Sequence, residues 1–173
     1  MNRPAVMLAL LSALAACEGP APGEATEPME LTSPAFGEGE TIPQQHTCDG
    51  EDVSPPLAWT GAPEGTVSFV LIVHDPDAGG FVHWLLTGIP ETASGLAEGE
   101  GDTTGVPGPN AFGRTGWGGP CPPGGEHRYV FTLYALSEPL QPDETADARA
   151  VLSALEGRML AEATLTGVYA RGR

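Results

Sequence analysis

Residues Thr66–His74 read TVSFVLIVH. From Phe69 to Val73 every residue is apolar, and β-branched types dominate. So short an apolar run, between Gly65 and Asp75-Pro76, predicts a buried strand. Similar runs follow at Val82–Ile89 and Arg128–Leu136 (RYVFTLYAL), and Thr164–Tyr169 reads as a closing strand. One helix is predicted late in the chain. Asp143 or Thr145 can cap it, Ala148, Val151, Leu152 and Leu155 form an apolar stripe for core packing, and Gly157 ends it. Several strands and one late helix predict a mainly β domain, a sandwich with the helix packed at one edge. No internal repeat is visible. The longest irregular stretch, Gly95–Glu126, holds Phe112, Trp117 and a Pro-rich turn. Those aromatics argue for a loop folded over the domain as part of a site.

The N-terminus gives an address. Arg3 supplies a positive start, and Ala5–Ala16 is apolar except for Ser12. At about a dozen residues the run is shorter than the roughly 20 a spanning helix needs and fits a secretory signal. It ends in Leu14-Ala15-Ala16-Cys17, which resembles the bacterial lipobox, with Cys17 the acylated residue. The alternative is an ordinary signal with a chance cysteine after it. Glu18–Glu30 (EGPAPGEATEPME) is too polar to offset its ordering entropy and reads as a tether. The expected organisation is a signal over residues 1–16, a lipidated cysteine and tether over 17–30, and one domain over 31–173. Glu18 after the acylated position points, by analogy with enterobacterial sorting, to the outer membrane, the domain facing the periplasm.

Composition narrows the partners. The net charge is −16, and there is no lysine. Nucleic acid and anionic membrane surfaces would be repelled, so membrane contact is expected through the lipid anchor only. A small local basic site remains compatible with that charge. With Cys17 acylated, Cys48 and Cys121 remain, both in Gly/Pro/Asp-rich loops of a compartment that permits disulfides. A Cys48–Cys121 bond is expected; two free thiols, or a metal pair completed by histidines, are the alternatives. No close ligand pair such as C-x₂-C is present, and no metal or other cofactor is expected.

Four segments carry chemistry together. They are Thr47-Cys48-Asp49-Gly50-Glu51-Asp52-Val53-Ser54-Pro55-Pro56-Leu57, Asp75-Pro76-Asp77-Ala78, Phe81-Val82-His83-Trp84, and Gly118-Gly119-Pro120-Cys121-Pro122-Pro123-Gly124-Gly125-Glu126-His127-Arg128-Tyr129. In this order, with Glu156-Gly157 and Leu165-x-Gly167-x-Tyr169, they resemble the phosphatidylethanolamine-binding protein family, in its bacterial Raf-kinase-inhibitor-like branch. The resemblance implies a β-sandwich with a small anion-binding cavity near one end. It matches Asp75, His83, His127 and Tyr129 to the cavity lining and Pro120 to its rim. Phe81 stands where eukaryotic members commonly have Trp. Gly79 stands where the family often has Pro, and Tyr169 is the one C-terminal aromatic available for a further wall.

The residues themselves agree with an anion pocket. Imidazoles beside a carboxylate are biased toward the charged form, so charged His83 and His127 are expected to donate to phosphate oxygens, with Tyr129 adding a hydroxyl. Asp75 would orient a histidine or accept from a protonated phosphate. Arg128 should pair with an acid, Asp77 should stabilise its turn by Asx-type bonding, and Asp49, Glu51 and Asp52 look like a solvated acidic loop. The leading expectation is a non-enzymatic envelope protein that binds a small anionic or phosphate-bearing ligand, or docks an envelope protein through the same cavity. The alternatives are an inhibitor of a periplasmic protease or other envelope enzyme, and a hydrolase using His127 with Asp75. No G-x-S-x-G elbow or H-E-x-x-H motif accompanies the latter.

Overall fold

A computed structural model of the chain describes residues 27–141 and 146–172. Among these described residues, eight strands form two sheets. In chain order they are β1 (Glu30–Thr32), β2 (Leu57–Thr60), β3 (Ser68–Asp75), β4 (Phe81–Pro90), β5 (Gly95–Leu96), β6 (Val106–Pro107), β7 (Glu126–Leu136) and β8 (Met159–Ala170). The larger sheet runs β6-β4-β3-β7-β8 and the smaller β1-β2-β5, every neighbour antiparallel. The mainly β sandwich read from the sequence is the observed architecture.

Strand β3 is apolar without alternation because both its faces are covered. Phe69, Leu71 and Val73 face the small sheet, where they join Leu31, Trp59, Leu96, Trp84, Phe131 and Leu165 in the main core. Val70 and Ile72 face the other way, into a second cluster with Leu85, Leu136, Val151 and Leu155. The last two belong to helix α2 (Ala148–Ala154) and its C-terminal cap. The helix packs Val151 and Leu155 against the large sheet, because that is where β3 offers its second apolar face. Full burial of Val151 and Leu155 is worth about 1.5–3 kcal/mol each. Leu152, expected in the stripe, is half exposed. Asp143 and Thr145 lie outside the described residues; the side chain that caps the helix is Asp147, which accepts from the Ala150 N–H at 2.8 Å.

The signal, Cys17 and most of the tether also lie outside the described residues. The fold begins slightly before the expected boundary: Met29 packs against the core and Glu30 pairs with Thr60. Within Gly95–Glu126, expected to be irregular, lie β5, the one-turn helix α1 (Gly101–Thr104) and β6. Asp102 of α1 accepts from the Trp84 indole N–H at 2.7 Å and so ties the stretch to the core. Among the described residues no helix is long and apolar enough to cross a membrane.

Candidate functional site

Strand β3 ends at Asp75, and the chain turns sharply to enter β4. Asp75 makes the turn itself: its Oδ1 accepts from the backbone N–H of Asp77 (2.8 Å) and of Ala78 (3.0 Å). This is the Asx-type role expected of Asp77. Asp77 instead holds Arg128, whose Nε and Nη2 donate to its two oxygens at 3.0 and 2.7 Å, and its carboxyl is pushed well down by that guanidinium. Gly79 closes the turn at φ +69°, a conformation that proline, fixed near −65°, cannot adopt. The departure from Pro there fits this backbone.

The other oxygen of Asp75 accepts from His127 Nδ1 at 2.7 Å, across the β3–β7 junction. Asp75 is nearly fully buried and spends both oxygens on neighbours. Next to it on β4 stands His83, also buried, whose Nδ1–H donates to the Gly118 carbonyl at 2.7 Å. Burial lowers the His83 pKa, against smaller upward effects from the Gly118 hydrogen bond and the Asp75 charge. The expected charged state of His83 is therefore corrected to neutral, because desolvation outweighs the nearby carboxylate. With Nδ1 protonated, Nε2 carries a lone pair and is an acceptor.

Tyr129 on β7 packs edge-on to His83 with ring centroids 5.0 Å apart. Its hydroxyl is buried and donates to no acceptor, the nearest backbone polar group being the Cys121 N–H, itself a donor. Burial first, and then the Asp75 charge, drive its pKa upward, so it remains a donor. Asp75, His83 and Tyr129 line one cavity of about 220 Å³ together with Ala78, Phe81, Phe112, Cys121, Pro122 and Pro123. Three of the five expected site residues thus meet in the lining. His127 stands behind Asp75, outside it. Pro120 is buried, with its carbonyl accepting from Cys48 N–H at 3.1 Å, and the prolines that do line the cavity are Pro122 and Pro123. Tyr169 pairs with His127 in the strand register, but its hydroxyl donates to Asp49 at 2.9 Å and forms no cavity wall.

The cavity loop is anchored from the side opposite β4. Cys48 and Cys121 are joined by a disulfide, with Cα atoms 5.4 Å apart. Asp52 Oδ1 accepts from the Gly119 N–H at 2.7 Å. His46, fully buried, donates from Nδ1 to the Val53 carbonyl (3.0 Å), and its own carbonyl lies 2.4 Å from where a Cβ on Gly119 would fall. The acidic loop expected to be merely solvated therefore does structural duty: Asp52 holds the cavity loop, and Asp49 holds Tyr169 and Arg171.

This geometry agrees with comparison to known proteins. A family model described as phosphatidylethanolamine-binding protein matches residues 32–170. The chain belongs to the phosphatidylethanolamine-binding protein family. It is 45% identical over 151 residues to a UPF0098 protein of Methanothermobacter thermautotrophicus, covering 83% of this chain and 100% of that one. It is 40% identical over 152 residues to a Mycobacterium tuberculosis protein whose name, LppC, classes it provisionally as a lipoprotein, covering 86% and 75% of the two chains. Among solved structures, a Chlamydia trachomatis homologue of phosphatidylethanolamine-binding protein aligns with TM-score 0.78 at 38% identity, covering 84% of this chain and 99% of that one. E. coli YbcL aligns with TM-score 0.76 at 34% identity, covering 84% and 100%.

The sequence placed Phe112 in a loop expected to be part of a site, and the structure puts its ring in the cavity lining, a place the sequence did not assign it. Its signal was present: an isolated aromatic in a polar, glycine-rich turn. Sequence reasoning missed Asp52 and His46, whose work depends on a loop 67 residues away in sequence from Asp52.

Proposed function

We propose that this chain is a non-enzymatic binding protein of the bacterial envelope, lipid-anchored through Cys17, whose cavity takes a small phosphate-type anion. The observation that carries the reading is the Tyr129 hydroxyl, a buried donor with no acceptor in the wall that Asp75 and His83 share. A donor left unsatisfied costs about 1–3 kcal/mol in the free protein and becomes useful when an acceptor arrives. Tyr129 donates to one phosphate oxygen, and of the Gly118–Gly125 loop only the N–H groups of Cys121, Gly124 and Gly125 are left to join it, those of Gly118 and Gly119 being given to the His83 carbonyl and Asp52. His83 Nε2 and Asp75 accept from a ligand hydroxyl, which makes the singly protonated anion the preferred form. His127 positions Asp75. The signal-like N-terminus and the lipoprotein name of the M. tuberculosis relative support the address.

Tyr129→Phe tests this directly. Calorimetry of the full chain with inorganic phosphate and phosphorylethanolamine should show affinity falling roughly 10- to 100-fold, the value of a hydrogen bond to a charged group. The melting temperature should hold or rise, because the variant removes an unsatisfied group. Unchanged affinity for both ligands in Tyr129→Phe sinks the reading.

One observation favours a second reading. The 2.7 Å bond between Asp75 and His127 orients an imidazole as a general base requires. Turnover of phosphoester, ester or peptide substrates, abolished in His127→Gln, would replace the binding reading with a hydrolase.

A further inference from the structure

Both sheets end on the same side of the sandwich. The small sheet stops at β1 and the large one at β8, and a groove runs between the two edges. The C-terminal half of the β8 edge is covered. Thr166 N–H donates to Glu38 Oε2 and its carbonyl accepts from Gly39 N–H, both at 2.7 Å. Val168 N–H donates to the Glu40 carbonyl at 2.9 Å, and its own carbonyl accepts from Ile42 N–H at 2.8 Å. Residues 39–42 thus run parallel beside β8, bridged at Thr41 and Val168.

The N-terminal half is open. In an antiparallel ladder, alternate residues turn both backbone groups away from the neighbouring strand. Thr166 and Val168 show which residues of β8 do so. Glu162 and Thr164 therefore turn their N–H and C=O outward as well, and among the described residues no partner takes them. The register is regular there: Glu162 lies opposite Tyr134 and Thr164 opposite Thr132, with the register shift of the pair beyond them, between Ala135 and Leu136. Met159 and Leu160, at the start of the strand, are exposed apolar side chains. The groove, of about 510 Å³, lies against this open edge. Buried Leu31, Phe36 and Leu165 line it together with the exposed Glu30, Glu38 and Thr164. Sheet edges are ordinarily blunted by lysine, proline or a covering loop. Residues 159–164, MLAEAT, hold neither lysine nor proline, and no described segment covers them.

We propose that this edge docks an extended segment of another protein, which adds to β8 as a further strand, sets an apolar side chain into the groove and carries basic residues at alternate positions. The surface shares no residue with the cavity and does not depend on its ligand. Charge decides the occupant. Glu30 and Glu162 have no cationic partner among the described residues, and the Glu38 carboxylate takes only a backbone N–H. A second copy of the chain would bring a net charge of −16 and set another acidic strand against Glu162. Residues 18–28 of this chain read EGPAPGEATEP, acidic and too rich in proline to complete a ladder. A basic, strand-forming segment meets neither obstacle. Main-chain bonds to Glu162 and Thr164 supply its affinity, and the groove and carboxylates select its side chains.

The probes are two short labelled peptides, one alternating valine with lysine and one alternating valine with glutamate, titrated with the full chain by fluorescence anisotropy. The lysine peptide should bind at least about ten-fold more tightly. Hydrogen exchange at the Glu162 and Thr164 N–H groups should slow when it binds, while that of Val168, already bonded, should not change. Thr164→Pro removes one outward N–H, which an edge strand tolerates, and should weaken the lysine peptide about three- to ten-fold. Glu162→Arg leaves the backbone intact and should bring the preference between the peptides below about three-fold. It keeps the test decisive if Thr164→Pro does not fold. A preference unchanged in Glu162→Arg overturns the proposal, since that is the mark of unspecific attraction to an acidic chain. Failure of the lysine peptide to bind, or protection elsewhere than at Glu162 and Thr164, overturns it too. Self-association of the natural chain that Thr164→Pro abolishes, or a peptide affinity that rises when residues 1–26 are removed, would give the edge to a second copy or to the tether and overturn it likewise.

Discussion

Replacing Cys48 and Cys121 together by serine should lower stability without changing the folded cavity. The bridge spans 73 residues of sequence. In the chain-entropy model, a closed loop of that length restricts the unfolded chain by about 15 cal/mol/K, or roughly 4 kcal/mol at 25 °C. For a domain of this size that lowers the melting temperature by on the order of 10 °C. The folded side of the balance should change little, because other contacts keep the two loops together. Cys48 N–H still donates to the Pro120 carbonyl, and Gly119 N–H to Asp52. Cys48 is exposed, so reduction of the natural chain should reproduce the variant. Thermal melts and urea titrations of both would show the midpoint falling and the urea dependence steepening as the unlinked chain expands. Ligand affinity at 20 °C should stay within about two-fold, since the stabilisation lies in the unfolded state. A melting shift below about 3 °C, or two titratable thiols in the unreduced, denatured protein, would refute the reasoning.

With the His83 pKa lowered by burial and Asp75 beside it, phosphate esters should bind as the monoanion; given a second pKa of about 6, affinity should drop by up to roughly fifty-fold between pH 6 and pH 8 in calorimetry, and a flat profile contradicts this. His83 and His74 both have pKa values lowered by burial, so the folded state binds fewer protons; their stabilising contribution is present above the ordinary value of 6.5 and is lost as pH falls below it, and a melting temperature that rises from pH 7 to 5.5 would count against that. Gly119→Ala places a Cβ 2.4 Å from the His46 carbonyl and 2.6 Å from Asp52 Oδ1 and should cost about 3 kcal/mol or more, whereas Gly118→Ala meets side chains alone, the partly exposed Phe112 ring at 2.6 Å and Asn110 Nδ2 at 3.3 Å, and should cost about 1–2 kcal/mol; equal losses in urea titration reject the distinction. Asp75→Ala strands the N–H groups of Asp77 and Ala78 and His127 Nδ1, and should destabilise by about 3 kcal/mol, a loss below 1 kcal/mol showing that those bonds are not needed.

The long strands were legible because their apolar runs have few other uses. TVSFVLIVH has to be buried on both faces, and RYVFTLYAL alternates as a strand of the main core does. The small sheet was not legible. Strands β1, β2 and β5 are two to four residues long, below the length at which periodicity carries a signal, and they exist by pairing across up to 39 residues of chain, as Thr32 reaches Ala58 and Leu57 reaches Leu96. At the site, Asp75, His83 and Tyr129 were found through motif resemblance, since nothing local in D-P-D-A or H-W announces a pocket. The charge on His83 was misjudged because sequence shows the neighbouring carboxylate but not the depth of burial that outweighs it. Asp52 reads as one more acid in an acidic loop until Gly119 is seen across from it.

On the reading proposed above, the same contacts explain how a chain of net charge −16 would hold an anion. Its long-range field opposes an approaching anion, so recognition has to arise from short-range donors held in place before the ligand arrives. Three separate anchors hold them. Asp75 is locked by its own turn and by His127, the Gly118–Pro123 loop by the disulfide and Asp52, and the Phe112 turn by buried Asn110. Each anchor is polar or covalent and sits at the perimeter, while the rings and the unpartnered Tyr129 hydroxyl are left to the cavity. Because the ordering cost is met on folding, the ligand need supply only the interactions it makes itself, and a small anion has few to offer. The acids of the surrounding loops then belong to the scaffold: the charge that repels the ligand at a distance is the charge that fixes its binding groups at close range.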